Sequence, residues 1–188
     1  MTAPSELPES EAQEAPSAVS PESRRRSLII LASVAASVVV LDQLTKHWVV
    51  STIQPRIESG EGPFVFLGGL LKLTYTENTG AAFSMGTGYT WIFSIVAVVV
   101  AVVILRSSRR LGSVGWAVAL GGLLGGLLGN LIDRITRPPG PGLGYVVDWI
   151  QLPNFAVFNV ADMCIVGSAA LMVLLALRGI DFGGGPRT

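Results

Sequence analysis

The sequence predicts an all-α membrane protein with four transmembrane helices and a small β element. Half of its 188 residues are hydrophobic and only 14% are charged, whereas a soluble domain usually carries about 25% charged residues. Four long stretches contain no charged side chain, and a helix needs about 20 mostly apolar residues to cross a bilayer. Arginine clusters lie before the first stretch, between the second and third, and after the fourth, a spacing typical of a multi-pass protein.

The limits of the charge-free stretches place the four spans. The first and last stretches, 27–41 and 163–177, are too short to cross alone, so their spans must continue past Asp42 and Asp162. We therefore expect spans near residues 28–49, 89–106, 112–132 and 159–177.

The two tails and the orientation follow from charge and composition. Residues 1–26 are acidic and rich in Pro and Ser, so this segment is predicted to be a disordered tail. Residues 27–179 then form the transmembrane domain, and 180–188 form a second short tail. With four spans all arginine clusters fall on one side, so both termini are predicted to be cytoplasmic.

The outer loops contain the β element. Residues 71–76 alternate apolar and polar side chains, as a strand with one apolar face does. Residues 64–67 could pair with that strand across Gly68-Gly69. In the second loop an extended segment at 145–150 is followed by a turn at Pro153-Asn154. We expect a small sheet on the outer membrane surface.

Polar residues of three spans fall in one layer at the outer third of the membrane. Their depths follow from a rise of about 1.5 Å per helical residue. Charged groups within spans are costly and usually functional. The layer contains Asp42 and Lys46 of the first span, Asn130, Asp133 and Arg134 of the third, and Asn159 and Asp162 of the fourth.

Several of these residues and their neighbours also have a simpler interpretation. Asp42 and Lys46 could form only an ion pair within one helix, and Asn159 could be only a helix N-cap. Asp133 could pair with Arg137, four residues later. Arg137 itself is better interpreted as an anchor at the membrane interface. Asp148, alone in a loop, would by default be solvated. Asp162 is the hardest to dismiss, because it lies within an apolar stretch.

Composition also disfavours other classes. The formal net charge is zero, so no nucleic-acid partner is implied. The single histidine, His47, and the single cysteine, Cys164, belong to no cluster with metal-ligand spacing. Cys164 lies in an apolar run and is interpreted as a small core residue. We expect neither a metal ion nor a cofactor.

Five polar segments follow one another along the chain between residues 28 and 177. They are DQLTK at 42–46, NTGAAFS at 78–84, GGLLGNLIDR at 125–134, VVDW at 146–149 and FNVAD at 158–162. By these segments the sequence resembles the bacterial lipoprotein signal peptidases, or signal peptidase II family. Two departures are minor: Trp149 stands where a phenylalanine is common, and the N-terminal tail is longer than usual.

The resemblance implies an intramembrane aspartic protease whose catalytic residues are Asp148 and Asp162. It further implies substrate-binding or supporting roles for other residues of the polar layer and of the first loop, namely Asp42, Lys46, Asn78, Gly80, Asn130, Arg134 and Asn159. The family cleaves diacylglyceryl-modified prolipoproteins just before the lipidated cysteine, at the outer face of the cytoplasmic membrane, under a small β-cradle. The implied partners are these substrates and membrane lipids, and the protein is expected to be monomeric.

Two carboxyl groups fit such a reaction, because a pair that shares one proton can both activate water and protonate the leaving amine. Two rival functions were weighed. In the first, Lys46 and Ser84 would form a Ser/Lys peptidase dyad, but Asp42 one turn away favours a charged lysine, which is a poor base. The second is a small transporter, which usually carries its acids near midplane within inverted repeats, and neither feature is visible here.

Overall fold

The structure is a computed structural model that describes residues 19–80 and 90–184. Four of its helices are long and apolar enough to cross a membrane: Pro21–Glu58, Thr90–Arg110, Val114–Thr136 and Val160–Leu177. The described part also contains one three-stranded antiparallel sheet. The predicted class, four spanning helices with a small β element, is thus confirmed. Residues 1–18, most of the predicted N-terminal tail, lie outside the described residues.

The first helix, α1 (Pro21–Trp48), begins earlier than expected. The predicted disordered tail ended at residue 26, but residues 21–26 are helical, and this boundary is corrected. The Ser20 side chain accepts a hydrogen bond from the Ser23 amide, Pro21 occupies the first helical position, and Glu22 lies in the first turn. These are favourable N-terminal signals that stabilise a start outside the apolar stretch.

The same helix also continues beyond the predicted end of its span. A wider turn of π type, Val49–Ile53, leads into a short helix, α2 (Gln54–Glu58). Val49 and Ile53 are fully buried and pack with Val147 and the sheet. This packing explains why the chain remains helical through the polar residues Ser51 and Thr52.

Helix α4 (Val114–Thr136) lies between its neighbours α1 and α5 (Val160–Leu177), and glycines allow the close approach. A Cβ atom at Gly125 would lie 2.7 Å from the Ala35 carbonyl oxygen of α1, and one at Gly126 would lie 2.6 Å from that of Ala161 in α5. These small residues let the backbones of α1 and α5 approach α4 closely. Helix α3 (Thr90–Ser107) contributes Ile104 to the core shared by α1 and α4.

The sheet has the strand order β1 (Phe64–Phe66), β2 (Leu71–Asn78), β3 (Val146–Gln151). The predicted strand at 71–76, its partner across Gly68-Gly69, and the extended segment at 145–150 are all confirmed. The pairing places Thr76 opposite Asp148 and Asn78 opposite Val146. The sheet therefore connects the first outer loop to the loop that carries Asp148.

The loop between α4 and β3 folds back on the end of α4. The backbone amides of Gly142 and Gly144 both donate to the Arg134 carbonyl oxygen, at 2.8 and 3.0 Å. A Cβ atom at Gly144 would lie 2.5 Å from the Arg137 carbonyl oxygen, so only glycine fits there. This turn directs the chain into β3 beside the start of α5.

Candidate active site

Asp148 lies on the central part of β3 and is almost fully buried, at 1% exposure. Its Oδ1 accepts a hydrogen bond of 2.6 Å from the side-chain amide of Asn159, and its Oδ2 accepts one of 2.8 Å from that of Asn78. The default expectation of a solvated loop aspartate is therefore wrong, because the sheet carries this residue inward.

Asp162 lies in the first turn of α5, where it forms a reciprocal cap with Asn159. The Asn159 backbone amide donates to Asp162 Oδ2 at 3.1 Å, and the Asp162 amide donates to Asn159 Oδ1 at 3.0 Å. The side-chain amide of Asn130 donates to the other carboxylate oxygen at 2.8 Å. Asn159 is thus the N-cap that the sequence suggested, but capping is only one of its contacts.

A single asparagine connects the two carboxyl groups. Asn159 donates to Asp148 through its side chain and to Asp162 through its backbone. Burial, together with the nearby charge of Asp162, raises the pKa of Asp148 from 3.8 to about 7. At neutral pH Asp148 therefore exchanges a proton readily, as a general acid or base must.

Lys46 connects several side chains of the polar layer next to this pair. Its fully buried ammonium contacts Asp42 Oδ2 at 2.8 Å, Asp133 Oδ2 at 3.0 Å and Asn130 Oδ1 at 2.9 Å. An ammonium has three donors, and all three are used. The predicted pair of Asp42 and Lys46 is confirmed, and it forms part of a larger network rather than an isolated contact.

Asp42 also connects α1 to α5 directly. Its Oδ1 accepts a hydrogen bond of 3.0 Å from the Ala161 backbone amide, next to Asp162. A Cβ atom at Gly129 would lie 2.6 Å from Asp42 Oδ2, so the glycine of α4 leaves room for this carboxylate.

Asp133 is the residue whose importance the sequence analysis missed. The pair with Arg137 that the spacing suggested is present, with Nε to Oδ1 at 3.0 Å. Asp133 in addition contacts Lys46 and accepts a hydrogen bond of 3.1 Å from the Val147 amide, next to Asp148. Its position among polar residues at the end of α4 was the available signal, but the contact with β3 depends on a fold that spacing alone does not reveal.

Asn78 and Gly80 form a turn at the end of β2. The Asn78 Oδ1 atom accepts a hydrogen bond of 2.8 Å from the Gly80 amide, which fixes the side chain that donates to Asp148. Gly80 has a φ of 92°, and a Cβ atom there would lie 2.7 Å from the Phe93 ring. Both the backbone conformation and the space therefore require glycine.

A cavity of about 260 Å³ opens beside the pair. Polar and apolar residues of the turn and of α3, α4 and α5 line it, among them Asn78, Gly80, Phe93, Ala97, Asn130, Leu131, Arg134, Asp162 and Ile165. Arg134 is 8% exposed, and its Cζ atom lies 5.2 Å from the centroid of the Phe93 ring. Its Nη1 atom has no hydrogen-bond partner among the described residues, so a donor is available within the wall of the cavity.

The Ser/Lys dyad finds no support in the surroundings of Lys46. The Lys46 nitrogen already contacts Asp42, Asp133 and Asn130, so its three hydrogen-bonding positions are occupied without a serine hydroxyl. Ser84 lies outside the described residues. Within residues 19–80 and 90–184, no group of three or more His, Cys, Asp or Glu side chains could hold a metal ion.

Comparisons with known proteins agree with this arrangement. Residues 34–178 match the family model of signal peptidase (SPase) II. A lipoprotein signal peptidase from Leifsonia xyli is 47% identical over 160 residues, covering 84% of this chain and 71% of its own. One from Mycobacterium avium is 45% identical and covers 84% of each chain.

A solved structure supports the same fold. It is described as a bacterial membrane enzyme, solved by the in meso method at 1.9 Å resolution. It superposes with a TM-score of 0.65 at 26% identity and covers 82% of this chain and 94% of its own.

Proposed function

This chain belongs to the signal peptidase II family and is a protease, and on that premise we propose that it cleaves signal peptides from lipid-modified prolipoproteins with Asp148 and Asp162 as the catalytic pair. The observation that carries the proposal is the bridge through Asn159. Both carboxyl groups hydrogen-bond to this one residue, and one of them has a pKa of about 7. A pair held in this way can retain a single proton near neutral pH.

In the proposed reaction the two aspartates have different roles. Asp162 lines the cavity and lies at the N-terminus of α5, where the helix dipole favours negative charge. It accepts a proton from water as the water oxygen attacks the scissile carbonyl carbon. Asp148, buried and protonated, donates its proton to the carbonyl oxygen. No covalent acyl-enzyme forms.

Collapse of the tetrahedral intermediate completes the cleavage. The carbon–nitrogen bond breaks, and the proton that Asp162 accepted passes to the leaving amine. One hydroxyl group of the intermediate returns its proton to Asp148 as the new carboxyl group forms, so both aspartates regain their starting states. The products are a signal peptide with a new carboxyl terminus and a lipoprotein whose amino terminus is the diacylglyceryl-modified cysteine. The cut falls just before that cysteine.

The cavity provides groups that suit an unwound peptide within a membrane. A substrate segment that leaves its helix exposes backbone amides and carbonyls, which need partners in an apolar environment. Asn78, Asn130 and Arg134 line the cavity with side-chain donors. The apolar walls from Phe93, Ala97 and Ile165 would accommodate the lipid chains.

The site would operate at the outer face of the bacterial cytoplasmic membrane, beneath the sheet as a cradle. The arginine clusters at Arg24–Arg26, at Arg106, Arg109 and Arg110, and at Arg178 support an inward location for both termini. A single chain contains every residue assigned here, so the proposed active unit is a monomer.

Substitution of either aspartate tests the catalytic assignment. Asp148→Asn and Asp162→Asn keep the side-chain volume but remove proton exchange, so cleavage should fall about 10²-fold or more. The measurement is the cleavage rate of a diacylglyceryl-modified precursor by purified enzyme, with thermal unfolding to confirm folding.

An unmodified precursor is the matched substrate control, because only the lipidated form should be cleaved. A folded variant of either aspartate that cleaves the lipidated precursor at near wild-type rate would contradict the proposed pair. Equal cleavage of both precursors would contradict the proposed substrate class and leave the catalytic pair intact.

A further inference from the structure

The sheet carries an exposed apolar surface at the end that is remote from Asp148. It consists of the end of β1, the turn between β1 and β2, and the loop after β3, and we call it the hairpin patch. Its large side chains are all at least 40% exposed: Val65, Phe66, Leu67, Leu70, Leu152 and Phe155. A group of large exposed apolar side chains on adjoining segments of a folded protein indicates an interaction site.

The backbone conformation of the turn holds this surface outward. Leu67 has a φ of 52° and its side chain is 74% exposed. The left-handed region is energetically unfavourable for a branched side chain. Because the Leu67 side chain is so exposed, it gains little from packing that could offset this conformational cost. A strained residue that presents an apolar side chain to the exterior indicates a function outside the fold itself.

The two segments of the hairpin patch form one surface. Lys72 of β2 is paired with Gln151 of β3, which places the ends of the turn and of the loop side by side. Between them lies a cleft of about 400 Å³, lined by Gly69, Lys72 and residues 151–155. The ammonium of Lys72 has no carboxylate partner in the part of the chain that the structure describes.

Chain connectivity keeps the patch close to the membrane surface. Phe158 exchanges two backbone hydrogen bonds with Ile150, of 2.9 and 3.0 Å, so the loop that carries Phe155 is short. Phe155 precedes the first residue of α5 by five positions. Five extended residues reach at most about 17 Å, and therefore Phe155 stays near the level at which the last span enters the bilayer.

An aromatic pair fixes the other side of the sheet at the same level. The rings of Trp48 and Trp149 pack edge to face with centroids 6.0 Å apart. Trp48 ends a stripe of exposed apolar residues on α1 that includes Leu41 and Leu44, and tryptophan favours the membrane–water interface. Strand β3 thus lies beside the outer end of a span.

We propose that the hairpin patch inserts into the outer leaflet of the membrane and anchors the sheet there, with phospholipid as its partner. The apolar side chains of the turn and of the loop enter the acyl boundary, and Lys72 pairs with lipid phosphate in the headgroup layer. A phospholipid surface satisfies both the apolar and the cationic component of the patch. The anchor holds β2 and β3, which carry Asn78 and Asp148, at a constant depth.

Spin labels in lipid vesicles measure the depth of the patch directly. Cys164 is replaced first by Cys164→Ala, and single labels are then attached through Leu67→Cys and Phe155→Cys. Ser59→Cys is the control, because Ser59 is exposed in the same outer loop, after α2. The vesicles contain phosphatidylcholine and phosphatidylglycerol. The relaxation of each label is compared for oxygen, which concentrates in lipid, and a nickel chelate, which stays in water.

We expect labels at positions 67 and 155 to be severalfold more accessible to oxygen than to nickel, and the label at 59 to show the reverse. Lys72→Glu should shift the label at 67 toward the aqueous phase. If the labels at 67 and 155 are as accessible to nickel as the label at 59, the proposal is overturned. The hairpin patch would then be a binding site for a protein. No measurement depends on cleavage, and thermal unfolding of each labelled variant confirms its fold, so this test is independent of the proposed catalytic function.

Discussion

At the scale of single residues, the site depends on amide side chains that each contact several partners. Asn159 caps α5 and contacts Asp148, and Asn130 donates to Asp162 while accepting from Lys46. Each amide has one orientation that satisfies these bonds, so the network fixes the side chains around the carboxyl pair. Such fixed surroundings are what catalysis by positioned acids and bases requires.

The raised pKa of Asp148 predicts how activity depends on pH. The proposed mechanism needs Asp148 protonated, and its pKa is about 7. The protonated fraction decreases as the pH rises through 7, so kcat/KM for the lipidated precursor should decline, approaching tenfold per pH unit at higher pH. Recovery of the rate after return to pH 7 excludes unfolding as the cause. A profile that stays flat to pH 9 would contradict the role given to Asp148.

Asp133 provides a second prediction, which concerns positioning rather than contact with substrate. Asp133→Asn removes one of the two charges that balance the buried Lys46 and weakens the hold on β3 at Val147. Loss of one partner from a buried ion pair costs about 3–5 kcal/mol, so the melting temperature and the cleavage rate should both decrease. Thermal unfolding and the rate at saturating substrate measure the two effects.

Arg137→Gln is the matched control for Asp133. It removes the other cation that contacts the same carboxylate, but Arg137 is 20% exposed whereas Lys46 is fully buried, so the loss of stability should be smaller than for Asp133→Asn. Equal losses in the two variants would show that Asp133 acts through Arg137 alone.

At the scale of elements, helix packing sets the distances within the site. Asn130 lies one turn beyond Gly126 on α4, and both face α5. A methyl group at position 126 would lie 2.6 Å from the Ala161 carbonyl oxygen and 2.7 Å from the Ile165 side chain. The two helices would have to separate, and the bond from Asn130 to Asp162 would lengthen.

Gly126→Ala should therefore lower both stability and activity. Overpacking of a close contact costs about 1–3 kcal/mol, and the displaced Asn130 should reduce the cleavage rate as well. Gly167→Ala on α5 is the control, because nothing lies within 4 Å of a Cβ atom there and alanine favours a helix. The interpretation fails if the two variants melt and cleave alike.

Periodicity and spacing predicted those features that depend on neighbours in sequence. The strand at 71–76 followed from alternation, and the pair of Asp42 and Lys46 followed from one helical turn. The helix ends were less accurate. Helix α4 continues to Thr136, past the predicted limit at 132, because its last turn has polar partners: Asp133 pairs with Arg137, which follows the helix. The contact of Asp133 with Val147 requires the whole second loop to fold, which no local pattern predicts.

At the scale of the whole molecule, the arrangement of arginines gives the chain an orientation. The clusters near the start of α1, between α3 and α4, and after α5 lie at one end of the four spans, whereas the sheet lies at the other end. Positive residues are retained on the cytoplasmic side of a membrane. The proposed orientation therefore has both termini inside and the sheet outside.

Reporter fusions measure this orientation. Green fluorescent protein at the C-terminus should fluoresce, and alkaline phosphatase at the same position should be inactive, because the former matures in the cytoplasm and the latter outside it. The reverse pattern is expected for reporters inserted at residue 61 in the first outer loop. Active phosphatase at the C-terminus would invert the orientation and place the site on the cytoplasmic face.

The shared contact of Asp148 and Asp162 with Asn159 also has a consequence for biosynthesis. All three residues lie in the last quarter of the chain, and Asp162 takes its place only when the final span has entered the bilayer. On the proposed mechanism the nascent enzyme, still bound to the ribosome with only three spans inserted, has no proteolytic activity. The protein thus stays inactive during its own synthesis until the last span is in place.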